Sequence, residues 1–167
     1  PVQSLNKTKF HHFSLKSALN LSINSVLISP EKKSIVPLVI FAHGFKGFRK
    51  WGGFPYLMEK LAENCFAALS FDFSMNGVSA EKPSDFTRLD LFAENTHTIE
   101  LDDLKTVIDH FYEIAPEFNI DRDRIALIGH SRGGGDAILK SSEDNRIKAL
   151  VTLASIAEVN RYTDEQK

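Results

Sequence analysis

Four nearly continuous apolar runs constrain the fold more than any other feature of this sequence. They are PLVIFAHG at 37–44, CFAALSFDF at 65–73, RIALIGHS at 124–131 and IKALVTLAS at 147–155. Strands that are covered on both faces have this unbroken hydrophobicity, whereas strands with one solvated face alternate apolar and polar residues. The four runs therefore predict the strands of a parallel sheet.

Helical patterns separate these runs. Apolar residues recur every three or four positions between 54 and 65, and again between about 98 and 115, where Pro116 ends the pattern. A third, shorter helix is predicted for RGGGDAILKSS, which follows Ser131. Buried strands that alternate with helices are typical of α/β proteins.

The beginning of the chain has a different pattern. Leu19, Leu21 and Ile23 alternate with polar residues, which predicts antiparallel strands with one solvated face, joined near residues 17–18. The predicted fold class is therefore α/β. Its sheet is mostly parallel and twisted, with an antiparallel pair at the N-terminus and helices on both faces.

Composition excludes several classes of partner. The length of 167 residues suits one domain, and the net charge of −2 with scattered Lys and Arg indicates neither a nucleic-acid groove nor a membrane-binding patch. The single cysteine, Cys65, excludes an internal disulfide and is predicted to pack in the core. We expect a cytoplasmic protein, since neither a membrane span nor a signal-peptide core is present. The chain begins with Pro1 rather than Met, however, so a removed signal would leave no trace.

The most specific local motif is GHSRGGG at 129–135. Each glycine inside a regular element costs roughly 0.5–1 kcal/mol, so a cluster of them around Ser131 needs a reason. Gly129 and Gly133 lie two positions before and two after the serine, where a sharp strand-to-helix turn would otherwise bring Cβ atoms into collision. This is the G-x-S-x-G nucleophile elbow, which exposes a serine hydroxyl next to the free N–H groups of a helix N-terminus.

Together with three further segments, this motif resembles a known family. HGFKGF at 43–48, FDFSMNG at 71–77, LDDLKTVID at 101–109 and GHSRGGG resemble the first two thirds of an α/β-hydrolase. The similar branch includes dienelactone-hydrolase-like and cinnamoyl-esterase-like enzymes. The resemblance implies an α/β-hydrolase fold with Ser131 as nucleophile and the backbone N–H groups of Phe45 and Arg132 as the oxyanion hole. It also implies that His43 and Gly44 support the loop.

The acid and base of a catalytic triad are missing. In α/β-hydrolases the acid and then the histidine follow the serine in the chain, but no histidine follows Ser131. The later carboxylates are Asp136, Glu143, Asp144, Glu158, Asp164 and Glu165. The chain is then a fragment, or another polypeptide supplies the rest, or the triad is rebuilt. We expect residues 1–167 to form a single α/β-hydrolase domain, incomplete at its C-terminus and truncated before the last strands. It would pair with a complementary C-terminal polypeptide or with itself. Residues 156–167 should distinguish a cut chain from a minimal fold.

The histidines present offer no good substitute for the base. The side chain of His130 should leave the strand on the face opposite Ser131. His43 is expected to anchor its loop by hydrogen bonds, and His97 and His110 to face solvent or to pack. His11 and His12 lie in the antiparallel front. No His, Cys or carboxylate set has ligand spacing, so we predict no metal and no cofactor.

Three other features receive mainly structural interpretations. Asp72 should make a loop hydrogen bond, and Glu158 is a minor candidate for the triad acid. The aromatic and basic stretch at 45–56 should line an acyl pocket or pack locally rather than bind nucleic acid. Two functions remain: a serine hydrolase that cleaves an ester, thioester or related acyl bond of a small molecule, or a hydrolase-fold binding or partner module without turnover.

Overall fold

The sheet has six strands in the order β1-β2-β4-β3-β5-β6. The structure is a computed structural model and describes residues 7–31 and 34–158. The strands are β1 (Thr8–Lys16), β2 (Ser22–Pro30), β3 (Val36–Ala42), β4 (Ala67–Phe71), β5 (Ile120–His130) and β6 (Ile147–Leu153). Strand β2 runs antiparallel to β1 and β4, and the remaining pairs are parallel. This arrangement confirms the predicted α/β fold class.

Four α-helices connect the strands. They are α1 (Phe54–Glu63), α2 (Leu89–Ala93), α3 (His97–Ile114) and α4 (Arg132–Glu143). The side chain of Thr96 accepts a hydrogen bond from the Ile99 N–H and so caps α3. A 3-10 turn with Pro116 ends this helix, as the sequence predicts. The predicted positions of α1, α3 and α4 are confirmed, whereas α2 is too short to produce a periodic pattern.

Each face of the sheet has its own apolar layer. Helix α1 buries Met58 and Ala62 on one face, together with Phe41 of β3. On the other face, Leu104 and Phe111 of α3 join the larger cluster, which also contains Ala137 of α4. Helices therefore cover both faces, and the carboxyl ends of β3, β4 and β5 meet at one edge where ligands bind in open parallel sheets.

Strand β6 lies at the end of the sheet and pairs only with β5 among the described strands. Its apolar residues Leu150 and Val151 are 38% and 49% exposed, while the other parallel strands are largely buried. The sequence predicts that Val151 and Leu153 need cover. Leu153 is half-buried and Val151 is exposed.

Two sequence-based expectations concern segments at the limits of the structure. The prediction about residues 156–167 lies largely outside the described residues, which end at 158. Among the helices of residues 7–31 and 34–158, none combines the length and apolarity that crossing a membrane requires.

Candidate active site

Ser131 is the single residue between β5 and α4, and its backbone has a conformation that a non-glycine residue rarely adopts. Its φ is 53° and its ψ is −116°, a sparsely populated conformation that costs about 1–3 kcal/mol and is found mainly at functional sites. The turn is held from several sides, because the Ser131 N–H donates to Leu153 O and the Ser131 carbonyl accepts from Gly134 and Ile156. Strand, turn and helix therefore fix the serine at the carboxyl edge of the sheet, where the sequence places it.

The glycines around Ser131 are required by close backbone contacts. A Cβ added to Gly129 would lie 2.4 Å from Gly133 O, and one added to Gly133 would lie 2.2 Å from His43 O. At Gly134 it would lie 2.7 Å from the Ser155 hydroxyl. Helix α4 thus begins in contact with the backbone of β3 and β5, which leaves no room for side chains at these positions.

The loop after β3 lies directly against the serine. A Cβ on Gly44 would be 2.9 Å from the Ser131 Cβ, so the backbone of the HGFKG loop approaches the serine as closely as atoms allow. The Gly47 N–H donates to Gly44 O and tightens the loop. Asp72, at the end of β4, accepts hydrogen bonds from the Arg49 N–H, at 2.7 Å, and from its guanidinium. Asp72 therefore holds this loop, as predicted.

His43 connects the same loop to the end of β4. Its Nδ1 donates to Gly44 O at 3.0 Å, while its Nε2 accepts from the Phe73 N–H and from the Asn76 amide, each at 3.3 Å. Burial lowers the pKa of His43, which keeps the ring neutral. Since both ring nitrogens are engaged, His43 lies in the loop-supporting position and is not suited to act as a base.

Two backbone N–H groups belong to the segments that meet at Ser131: that of Phe45, which follows Gly44, and that of Arg132, which follows the serine. In the described part of the chain, the Phe45 and Arg132 N–H groups donate to no backbone carbonyl. Arg132 is the first residue of α4, so its N–H lies at the positive end of the helix dipole. This is the arrangement that can hold an oxyanion.

A pocket of about 250 Å³ lies beside these groups. Its walls include Gly44, Phe45, Trp51, Phe54 and His130. The His130 ring packs on Phe54 and Trp51, with ring centroids 5.1 and 6.1 Å apart. Trp51 and Phe54 therefore line the pocket, in agreement with the interpretation of the aromatic stretch, whereas Phe48 is buried and packs on Phe86.

No histidine is a hydrogen-bond partner of the Ser131 hydroxyl within residues 7–31 and 34–158. The partnered histidines bond elsewhere: His11 to Ser29, His43 to its loop and His97 to Asp136. Glu158 is exposed. The described residues thus place Ser131 at a sharp turn at the carboxyl edge of the sheet but place no histidine in hydrogen-bond contact with its hydroxyl.

The structure brings together a buried polar cluster that sequence spacing did not reveal. His97 and Glu100 of α3 meet Arg132 and Asp136 of α4, and we call these four residues the α3–α4 cluster. His97 Nδ1 lies 2.7 Å from Asp136 Oδ1, and Arg132 Nε donates to Glu100 Oε2 at 2.6 Å. His97 was expected to face solvent or to pack, but it bonds a buried carboxylate 39 residues away. The available signal was the spacing within each helix, 97 with 100 and 132 with 136, which places each pair on one helix face.

A second buried carboxylate of α3 supports the end of β4. Asp103 Oδ2 accepts a hydrogen bond from the Ser74 N–H at 2.7 Å. Burial raises the pKa of Asp103 to about 6, although this hydrogen bond acts in the opposite direction.

Comparisons with solved structures establish the class of fold. DcsB, solved with a substrate analogue, aligns with a TM-score of 0.73 at 20% identity, over 94% of this chain and 48% of that one. The esterase Est22 aligns at 0.72 and 19% identity, over 95% and 47%. A Klebsiella pneumoniae protein assigned to the dienelactone hydrolases aligns at 0.71 and 19%, over 97% and 66%. The chain therefore has the α/β-hydrolase fold, which confirms the predicted resemblance at the level of the fold.

Sequence comparisons give relatives of higher identity that match a smaller part of this chain. Quorum-quenching protein AidA of Acinetobacter baumannii is 26% identical over 133 residues, which are 80% of this chain and 40% of AidA. A 31.7 kDa protein of Escherichia coli, encoded in the traX-finO intergenic region, is 30% identical over 129 residues, or 77% of this chain and 41% of that protein. No protein-family model matches the chain. The chain spans about two fifths of the length of these two relatives.

Proposed function

We propose that the protein is a serine hydrolase that cleaves an ester, thioester or related acyl bond of a small molecule through an acyl-enzyme on Ser131. The observation that carries the proposal is the strained backbone of Ser131 in contact with Gly44. Such strain persists only where the surrounding structure enforces it, and it is concentrated at functional sites. Structural neighbours named as esterases support the same class of chemistry.

In the proposed reaction, the Ser131 hydroxyl attacks the carbonyl carbon of the substrate and loses its proton to a base. The resulting oxyanion accepts hydrogen bonds from the Phe45 and Arg132 N–H groups. One such donor typically contributes ~2.7–4 kcal/mol to stabilisation of the transition state. The leaving group departs with a proton from the base, and water then releases the acyl group from Ser131 by the reverse sequence of proton transfers. The rings of Trp51 and Phe54 offer an apolar wall for the acyl portion.

The base and its orienting acid come, in this proposal, from a segment beyond these 167 residues. A serine hydroxyl at its ordinary pKa is a weak nucleophile and needs both groups. The chain spans only 40–48% of the relatives AidA, DcsB and Est22, which leaves ample length in such proteins for a further segment.

The test is hydrolysis of a small activated ester, such as p-nitrophenyl acetate, by the complete protein. Ser131→Ala should abolish turnover beyond the residual ~10³–10⁴-fold over water that binding and oxyanion stabilisation can sustain. Ser155→Ala is the matched control, because Ser155 also follows a strand end but packs against Gly134 and has no role in the proposed reaction. Wild-type turnover in Ser131→Ala would show that the nucleophile lies elsewhere.

The second candidate function is a hydrolase-fold binding or partner module without turnover. The exposed apolar side chains on β6 favour it for the isolated chain, since an uncovered edge strand can pair with another polypeptide. A complete protein that binds a small ester in the pocket but does not hydrolyse it would support this alternative.

A further inference from the structure

The α3–α4 cluster contains three side chains whose donor atoms could share one ligand. One atom each from His97, Glu100 and Asp136 lies within 4.8 Å of the other two. His97 and Glu100 come from the first turns of α3, whereas Asp136 comes from α4, so the group joins two elements that are distant in sequence. Glu100 and Asp136 are buried, and the His97 side chain is 19% exposed.

One oxygen of this cluster has no partner. The Asp136 side chain is completely buried, and its Oδ1 is bonded to His97. Within the described residues its Oδ2 has no hydrogen-bond partner. A buried carboxylate oxygen without a partner is unfavourable by several kcal/mol unless another group satisfies it. Either a bound cation or a proton held between Asp136 and the neighbouring Glu100 carboxyl would satisfy this oxygen.

The charges of the cluster favour a positive ligand. Glu100 and Asp136 are two buried carboxylates. In the described structure Arg132 donates a hydrogen bond to Glu100. The first turns of α3 and α4 add only partial positive charge.

We propose that His97, Glu100 and Asp136 bind one Zn²⁺ ion. His97 supplies Nδ1 and each carboxylate supplies one oxygen, while a water completes a tetrahedron on the side where His97 reaches solvent. Metal–ligand bonds of ~2.0–2.2 Å place tetrahedral ligand atoms about 3.4 Å apart. His97 Nδ1 lies 2.7 Å from Asp136 Oδ1 and 4.0 Å from Glu100 Oε2, and one donor atom from each of the three residues lies within 4.8 Å of the others, so small side-chain movements bring the ligand atoms to these separations. The imidazole selects Zn²⁺ over Ca²⁺ and Mg²⁺, which prefer oxygen ligands alone.

The site lies next to the proposed oxyanion hole without forming part of it. Arg132 remains bonded to Glu100, and its backbone N–H belongs to the turn at Ser131. A bound ion would link the first turns of α3 and α4 and would thereby stabilise the turn at Ser131. The proposal does not depend on hydrolase activity, because it concerns only the binding of the metal.

The test measures Zn²⁺ binding to the protein after treatment with a chelator, by calorimetry and by the visible absorption of Co²⁺ as a spectroscopic substitute. We expect one equivalent of Zn²⁺ to bind, with no comparable binding of Ca²⁺ or Mg²⁺. His97→Gln and Asp136→Asn should each weaken the affinity by at least ~10-fold, since even the outer partners of metal ligands contribute 10–100-fold.

Two substitutions on the same helix serve as matched controls. His110→Gln removes another partly buried histidine of α3, and Asp109→Asn removes a carboxylate that pairs with Lys105 and Arg146. Both variants should bind Zn²⁺ as the unmodified protein does. Failure of Zn²⁺ to saturate at one equivalent, or equal affinity in His97→Gln and His110→Gln, would overturn the proposal. Because His97 is partly exposed, its variant keeps the test decisive even where Asp136→Asn does not fold.

Discussion

At the scale of single residues, the elbow depends on missing Cβ atoms rather than on added contacts. Gly133 is the most constrained position, because its Cβ would lie 2.2 Å from His43 O and 2.6 Å from Ala42 O. Both atoms belong to the backbone of β3 or its end and cannot move without breaking the sheet. Gly133→Ala should therefore reduce the free energy of unfolding by about 3 kcal/mol, the upper part of the usual range for overpacking, as measured by urea denaturation.

Gly53→Ala is the control for this prediction. Gly53 precedes α1, has a φ of −86° and has no atom within 4 Å of an added Cβ. Its substitution should change the free energy of unfolding by less than about 1 kcal/mol. Equal losses in the two variants would mean that close packing at the elbow does not set the need for glycine.

The residues of the site differ in how far the sequence could predict them. Ser131 and its glycines were predictable because a strand-turn-helix imposes fixed local spacing. Gly44 became predictable only through the resemblance, since its contact with Ser131 joins two strands. Helical spacing could place 97 with 100 and 132 with 136, but the bond between His97 and Asp136 was not predictable, because it depends on how α3 and α4 pack across one face of the sheet.

At the scale of elements, the apolar runs predicted where strands lie but not where each begins. Strand β5 starts at Ile120, four residues before the apolar run, because its backbone continues to pair with β3 at Val36 and Pro37. The polar residues in this extension are half-buried or exposed. The hydrophobicity of a segment indicates burial, whereas strand pairing depends on the backbone. The apolar pattern therefore does not predict a strand end that is partly exposed to solvent.

Helix α3 should make the stability of the protein depend on pH through Asp103. Its folded-state pKa of about 6 is raised above the ordinary aspartate value of 3.8, so the folded state holds the proton more tightly than the unfolded state. This contribution to stability is complete below pH ~4 and is lost as the pH rises to about 6. Asp103→Asn should remove the loss, at most about 2–3 kcal/mol, because an amide oxygen can still accept from the Ser74 N–H.

The measurement is the free energy of unfolding in urea between pH 4 and 7. Asp102→Asn changes the neighbouring carboxylate, which is exposed and contributes least to the raised pKa of Asp103, so this variant should keep most of the pH dependence of the unmodified protein. A pH dependence in Asp103→Asn that is as steep as in Asp102→Asn would contradict the assignment.

At the scale of the whole molecule, the two end strands of the described sheet differ in pairing and in exposed side chains. Strand β1 is paired antiparallel to β2 and exposes Phe10 by 51%, whereas β6 is paired parallel to β5 and presents Leu150 and Val151 to solvent. An apolar edge strand is a template for pairing with another chain. The sequence predicted this need for cover because 147–155 is as apolar as the buried strands, although only the structure places that run at the edge.

The isolated chain should therefore associate and should lack esterase activity. We expect sedimentation velocity to show dimers or larger species for residues 1–167, because no described strand pairs with the outer edge of β6. Val151→Lys should shift the chain towards monomers, since charged side chains discourage edge pairing. Ile35→Lys is the control, because Ile35 is 65% exposed and lies outside the strands. Hydrolysis of p-nitrophenyl acetate should remain at background in all three proteins, because no base accompanies Ser131 among the described residues. A compact monomer with turnover that Ser131→Ala removes would contradict both expectations, and it would place a base for Ser131 within these 167 residues.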